Sequence, residues 1–509
     1  MQSIEDRPSS LVLAFSALAF STVVLALGHG LVPYGAVCTL AIAIQVGLSL
    51  LAWIRFRRLL SVCTLIIASW AIYFVVRMFV IMVATDETYD HVSVVEATID
   101  LRAEVWVGAT AGLAALVAGM FLGLGFTKER AFHDPTNDVR GIYRAVGFFC
   151  VAASVVSELA GVKSGILDNA FKMYLFCIAA LVYEAVRRRR IPAIDVALIL
   201  AAILLGPFLN FKEPAVMAVL AVVVGCLAAG VRVTPGFLVV SAVAGILVFT
   251  GVQAQRIAFE QTGTATATGI TSLPTNIVEG LTQYDLARGI RREQSGLELI
   301  VNPINGVLNR TRGTDALFAL SVKVPDQIPY QAGKSIIQPI LVTIPVVGDN
   351  LDLEFTQLSL GRYYNYNFWT YRPDEDASSQ ALTMPGDLFL NGGWAAVVGG
   401  LLLLGALFGW LDRRFPARTA VGAGLFAYAL LPLISLERGV AYQLVTLAIR
   451  LVLALIFIRM VGGRSGCVES DEAAKVDAPS KTESGLSSSR SAKSVGELRV
   501  VASIPQHAD

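Results

Sequence analysis

Two short turns between apolar segments each set a cation beside a carboxylate. One reads Phe211-Lys212-Glu213-Pro214 and the other Ser435-Leu436-Glu437-Arg438-Gly439. A further cation, Arg77, sits inside the apolar run that begins at Trp70. Lysine and arginine at such positions suit an anionic head group. Arginine suits it best, since its charge is permanent and its planar fork makes paired bonds to phosphate oxygens. The same residues can also act as snorkelling anchors at a membrane surface. Charges inside apolar segments are costly and face a cavity or a partner. Arg77, Arg450 and Glu158 are of this kind, and an internal ion pair of Arg77 with Glu158 is the alternative to head-group binding.

A second group lies in one long polar stretch. Arg310 and Arg312, in Asn309-Arg310-Thr311-Arg312-Gly313, form either an exposed charged turn or a pair able to neutralise a departing diphosphate. Further on, Arg362, Tyr364, Tyr366 and Trp369 belong to an aromatic run interleaved with amides. Aromatic faces with amide hydrogen bonds suit sugar rings. An interfacial belt of Tyr and Trp at head-group level accounts for the same composition. Asp374-Glu375-Asp376 reads as a solvated turn, and Asp349-Asn350-Leu351-Asp352 has little specificity for metal. The histidines are His29, His91, His133 and His507, so the polar stretch holds none. Chemistry that needs a histidine there is excluded, and no metal or other cofactor is expected.

The elements that must position these residues are membrane helices. The chain is 55% apolar, and its mean hydropathy is +0.65. That is too apolar for an ordinary soluble fold. A net charge of +1 argues against nucleic acid as a partner. Twelve apolar segments lie near 10–32, 33–54, 59–83, 104–126, 142–161, 169–187, 192–210, 214–231, 234–252, 390–411, 417–435 and 439–460. Each has roughly the length that crosses a bilayer as a helix. The first is too long for a signal peptide and lacks a basic front end, so it is expected to be retained.

Arg55, Arg57, Arg58, Lys128, Arg130, Arg140, the run Arg187 to Arg190, Arg232, Arg413, Arg414 and Arg464 all fall on one side of this alternation. The excess of cations marks that side as cytoplasmic. It puts both termini inside and the polar stretch, together with the two turns at Lys212 and Arg438, outside. The expected fold is an all-α polytopic membrane protein with about twelve transmembrane helices and one large, mainly helical extracytoplasmic loop. Its divisions are transmembrane helices over 1–252, the loop over 253–389, three more transmembrane helices over 390–460, and a tail over 461–509 too polar to fold. Within the loop, helical patterning covers Gln253 to Gln261, Asn276 to Arg292 and Thr314 to Leu320, and a shorter apolar run near Leu297 to Val307 is interrupted by Pro303. The six cysteines avoid the loop, so no disulfide braces it.

The order of these features resembles the oligosaccharide repeat-unit branch of the O-antigen polymerase (Wzy) family. Tyr73 to Arg77 is similar to its Y-x-x-x-R patch, and Lys212-Glu213-Pro214 to its lysine-containing outer turn. Arg312, Asp315, Pro325, Tyr330, Gly333 and Lys334 resemble its loop segment. Pro385-Gly386-Asp387-Leu388-Phe389-Leu390-Asn391-Gly392-Gly393 resembles the start of the span after the loop, and Arg438 falls where that family has an outer arginine. One departure is clear: Ile344-Pro345-Val346 stands where many relatives have I-P-R. The loop histidine expected of the related ligases is absent, which favours polymerase over ligase.

The resemblance implies an enzyme of the bacterial cytoplasmic membrane that polymerises undecaprenyl-diphosphate-linked repeat units into a surface or exopolysaccharide. A flippase and a chain-length regulator are expected partners beside the bilayer and the lipid-linked glycan. Arg312, Lys212, Arg438 and Arg77 are expected at the diphosphate, with Arg310 behind them and Glu213 or Asp315 as base. Two other readings compete. A different polyprenyl-phosphate glycosyltransferase would use Asp86 and Glu87 with a metal. A secondary transporter would use intramembrane charges such as Arg450.

Overall fold

The computed structural model describes residues 34–56, 60–78, 99–126, 139–160, 165–208, 212–231, 234–262, 273–286, 290–308, 313–342, 363, 367–368, 382–436 and 438–462. They are predominantly helical. In chain order the first elements are α1 (Tyr34–Phe56), α2 (Val62–Trp70, continued by a π-helical turn Ala71–Val76), α3 (Ile99–Phe126), α4 (Arg140–Leu159), α5 (Gly165–Phe171), α6 (Tyr174–Arg187), α7 (Ala193–Phe208) and α8 (Lys212–Ala228). Then follow α9 (Pro235–Thr262), α10 (Leu273–Thr282), α11 (Glu298–Leu308), α12 (Gly313–Lys323) and α13 (Lys334–Val342). The last are α14 (Met384–Arg414), α15 (Ala420–Leu425, extended by Phe426–Leu430 and Leu431–Ile434 as π and 3₁₀ turns) and α16 (Val440–Gly462).

Five helical segments are long and apolar enough to cross a membrane: Ala103–Gly125, Arg140–Ser157, Gly165–Arg187, Met384–Arg414 and Val440–Val461. Five shorter apolar helices accompany them: Thr39–Ala52, Val62–Val76, Ala193–Leu205, Glu213–Ala228 and Ala420–Ile434. Most outward-facing positions on these helices are apolar, including Phe149, Leu200, Leu403 and Ile456. In water so many exposed large side chains would be a liability. Against lipid they are the solvated face.

The helices α3 and α14 form the tightest contact. A Cβ on Gly119, Gly123, Gly405 or Gly409 would run into backbone of the facing helix, at Leu402, Ala406, Leu116 and Met120 respectively. Close approach through small residues is how helices associate where no hydrophobic force separates protein from lipid. Polar contacts add to it. Fully buried Gln45 of α1 accepts from Trp70 Nε1 at 3.1 Å and donates to Thr110 Oγ1 at 3.1 Å, tying α1, α2 and α3 together. On α4, Arg144 Nε donates to Asp195 of α7 at 2.6 Å.

The structure corrects the sequence reading in two places. The helix expected from Asn276 to Arg292 stops at Thr282, and Tyr284–Asp285 (β1) pairs antiparallel with Ile290–Arg291 (β2). Buried Asn302 explains the change: its side chain accepts from Leu286 N and donates to the Tyr284 carbonyl, giving the turn partners that a helix would have supplied. The segment 169–187 lies within the span Gly165–Arg187, where two turn residues, Lys172 and Met173, separate α5 from α6. The segment 417–435 loses α-helical register, because Pro432 cannot donate an N–H to the carbonyl four residues before it. Separately, α9 runs unbroken across the expected boundary at 252. The segment 10–32 and the tail beyond 462 lie outside the described residues.

Candidate functional site

Two clusters of described charged residues are joined through the start of α14. The first cluster is built on Arg77. The first turn of α12 packs against the π-helical turn, and a Cβ at Gly313 would meet the Phe74 ring at 2.9 Å and the Tyr73 carbonyl at 3.0 Å. This contact brings Asp315, in the first turn of α12, under Arg77. Arg77 Nε donates to Asp315 Oδ1 at 2.9 Å and Nη2 to Oδ2 at 2.5 Å. Asp315 is almost wholly buried, and Arg77 keeps 14% of its side chain exposed. Asp315 is therefore an ion-pair partner of Arg77, and the side chain of Glu158, the partner the sequence offered, lies outside the described residues. With both oxygens engaged by a guanidinium, Asp315 holds Arg77 in place more readily than it takes a proton from an acceptor.

The second cluster surrounds Glu213, in the first turn of α8. Arg438 Nη2 donates to Glu213 Oε2 at 2.8 Å, and Lys172 Nζ donates to Oε1 at 3.4 Å. Lys172 also pairs with Asp168 one turn back, at 3.0 Å. Arg438 is steered from its other side by Tyr442, whose hydroxyl accepts at 2.6 Å and whose ring lies 4.5 Å from the guanidinium carbon. Three separate stretches of chain thus supply one compact set of charges. Lys212, the neighbour of Glu213, is the first residue of α8.

Below this set lies Arg450, which is 1% exposed. Its Nε donates to Asn169 Oδ1 at 2.7 Å and its Nη1 to the Tyr428 carbonyl at 3.0 Å. That carbonyl is the one deprived of its α-helical donor by Pro432, so the irregular helix and the buried arginine complete each other. Tyr428 Oη in turn donates to the Asn169 carbonyl at 2.7 Å. Asn169 and Lys172 share one helical turn, which couples the buried arginine to the ion pairs around Glu213.

The start of α14 joins the two clusters. Asp387, with no exposed surface, accepts from Ser335 Oγ at 2.5 Å and from Val440 N at 2.8 Å. It therefore ties α13 and α14 to the first turn of α16, just past Arg438. Asn391 donates to Ser335 Oγ at 2.6 Å and accepts from Gly333 N at 2.7 Å. Two residues later the chain turns at Gly393, whose φ of +64° suits a residue without a Cβ. On the other side, Gly386 packs against Leu320 of α12. The patch from Pro385 to Gly393 is thus a junction that fixes α12, α13 and α16 relative to one another.

Of the expected site residues, Arg77, Asp315, Glu213 and Arg438 are placed with side-chain partners. Arg310, Arg312, Arg362, Tyr364, Tyr366 and Trp369 lie outside the described residues. Within the same aromatic run, Tyr363 and Phe368 are buried, the first accepting from Gln331 Nε2 at 2.9 Å. Lys323 Nζ donates to the Asn367 carbonyl at 3.0 Å. These three residues pack the loop; they do not present a free aromatic face. The sequence reading missed Lys172, Asn169 and Tyr428. A lone lysine breaking an otherwise apolar run was the available signal for Lys172, whereas nothing local marks Asn169 or Tyr428. Among the described residues, no group of three or more His, Cys, Asp or Glu side chains could hold a metal ion.

Compared with known proteins, the chain matches no family model, no curated protein and no solved structure.

Proposed function

We propose that this protein is a membrane glycosyltransferase that polymerises undecaprenyl-diphosphate-linked oligosaccharide repeat units. The observation that carries the reading is the gathering of Arg438, Lys172 and Glu213 from three stretches of chain, with Arg450 beneath them. A diphosphate leaving group needs such a concentration of fixed donors, because they stabilise charge that develops as the bond breaks. The full arrangement in this reading is twelve spans in the bacterial cytoplasmic membrane, both termini inside, and the polar stretch outside. The bilayer and the lipid-linked glycan are its partners, together with a flippase and a chain-length regulator.

In the reaction, the bond between the anomeric carbon of the growing chain and its diphosphate oxygen breaks. A sugar hydroxyl of the next lipid-linked unit forms the new glycosidic bond and gives up its proton. Undecaprenyl diphosphate leaves with the electron pair. Arg438 and Arg312 face the departing diphosphate in this reading, and Arg77 is held for the same purpose by Asp315. Glu213 and Asp315 are both satisfied by cations, so the base is better sought among the loop residues beyond Arg312.

Deletion of the gene in its own host tests the proposal, with undecaprenyl-linked glycans and surface polysaccharide measured together. The expected result is loss of polymer with single repeat units still displayed or still on lipid. Complementation with Arg438→Ala or Arg312→Ala is expected to restore little polymer. Normal polymer length after deletion would overturn the reading. One observation favours a second reading, secondary transport: a buried arginine faces an irregular helix, as in binding sites built from broken helices. Polymer that persists after deletion, with a solute no longer moved, would favour it.

A further inference from the structure

Among the described residues the cluster around Glu213 carries more cations than carboxylates. Among the described residues Lys172, Arg438 and Arg450 face Asp168 and Glu213, and no carboxylate pairs directly with Arg450. A buried cation is costly unless something compensates it. The groups around Arg450, an amide oxygen, a carbonyl and the Tyr428 ring 5.5 Å from its guanidinium carbon, supply dipoles and a π face but no charge. Its charge nevertheless acts on Glu213 and on Arg438. Arg450 lies ten residues after Val440, the first residue of α16, about 15 Å along that helix at 1.5 Å per residue. A long helical side chain points back toward the N-terminal end, which shortens that gap. Glu213, Arg438 and Lys172 keep 33%, 28% and 16% of their side chains exposed, so an anion can reach them.

We propose that these residues form a phosphate-binding site in which Lys172 and Arg438 grip the ligand, and Glu213 is the internal anion it displaces. Arg450 is a positioning charge that biases the site toward a second negative charge from below. The inference rests on the diphosphate chemistry proposed above and names residues for it that the sequence did not single out. A phosphate brings more negative charge than one carboxylate and can replace both of the ion pairs Glu213 makes. Asn169 sets the geometry. Its Nδ2 donates to the Gly165 carbonyl at 2.7 Å, which turns its Oδ1 toward Arg450 and fixes the turn carrying Lys172.

The arrangement makes a prediction of opposite sign for neighbouring residues. Removing the charge of the internal anion should strengthen binding, whereas removing a cation should weaken it. The test uses full-length protein in detergent, with inorganic pyrophosphate and farnesyl diphosphate as probes in calorimetric titrations. Glu213→Gln is expected to tighten pyrophosphate about tenfold, and Lys172→Gln and Arg450→Gln each to weaken it by a similar factor. Arg450→Lys should recover most of the loss, and added salt should weaken binding throughout. Tighter binding of farnesyl diphosphate than of pyrophosphate assigns the site to a lipid-linked head group, and equal binding assigns it to a free phosphate anion.

Two results overturn the proposal: no binding of either probe by the unaltered protein, or an affinity that Glu213→Gln leaves unchanged or lowers. Arg450→Gln with unaltered affinity would remove the positioning role. Thermal midpoints are measured alongside, and if Arg450→Gln does not fold, Glu213→Gln and Lys172→Gln decide the question. The outcome separates from that of the gene deletion. Pyrophosphate binding with this order of effects in a protein dispensable for polymer would keep the site and discard polymerisation.

Discussion

Arg77 and Asp315 are 238 residues apart in the chain and meet through two guanidinium nitrogens, Nε and Nη2, and both carboxylate oxygens, at 2.9 and 2.5 Å. The pair clamps the first turn of α12 onto the π-helical turn after α2. Its geometry is the bidentate one that gives arginine its specificity for carboxylates and phosphates alike. Arg77 is therefore held rigidly in a place where a lone arginine would wander.

Breaking this clamp from one side should be expensive. Asp315→Ala or Arg77→Ala leaves a largely buried charge without its partner and should cost about 3–5 kcal/mol. The paired replacement Arg77→Met with Asp315→Leu should cost much less than the sum of the single changes. A double-mutant cycle on thermal midpoints of the detergent-solubilised protein reads the coupling directly. Strict additivity would mean that the clamp contributes nothing.

The α3–α14 crossing should tolerate no added methyl group. Gly405→Ala and Gly119→Ala each push a Cβ into a facing backbone carbonyl, of Leu116 and Leu402 respectively. Such overpacking typically costs about 1–3 kcal/mol. Gly125→Ala, on the same helix with open space around it, should be neutral and serves as the control. Yield of folded protein and thermal midpoint are the readouts.

The Asp387 junction should fail in graded steps. Asp387→Ala deprives the Ser335 hydroxyl and the Val440 N–H of their acceptor, at about 1–3 kcal/mol for each buried group left unsatisfied. Asp387→Asn keeps an oxygen for one donor and should be intermediate, and Ser335→Ala should be the mildest. Equal effects of all three on the unfolding midpoint would argue that Asp387 is not the organising acceptor.

Orientation can be read by labelling. In a cysteine-free background, Glu293→Cys, which is exposed beyond β2, should react with a membrane-impermeant maleimide added to intact spheroplasts. Arg188→Cys, exposed at the end of α6, should react only after permeabilisation. The reverse pattern would invert the proposed topology and place the Arg438 turn in the cytoplasm.

Chelation separates the enzymatic alternatives. The polymerase reading expects polymer formation in isolated membranes to continue in excess EDTA. A glycosyltransferase using Asp86 and Glu87 with a metal would stop. Loss of product that added magnesium or manganese restores would move the assignment to that class.

Much of the helical framework was legible because apolar composition and length act locally. Eleven of the twelve apolar segments contain described helix, and the π and 3₁₀ turns near Leu430 follow from one proline. Arg77, Glu213 and Arg438 were legible as candidates too, since charges next to or within apolar runs are unusual enough to stand out, and Asp315 entered through the resemblance of its loop segment. Which charge meets which was not. Asp315 finds Arg77 because Gly313 lets α12 lie against the Phe74 ring, and Lys172 meets Glu213 because α5 ends where α8 begins. Arg450 is buried on a carbonyl that Pro432 freed and on an amide 281 residues away in the chain. Hydropathy and cation counting report the energy of placing one residue at a time. Pairing is decided by the packing of distant segments, where only the assembled helices bring opposite charges within hydrogen-bonding distance and shut water out between them.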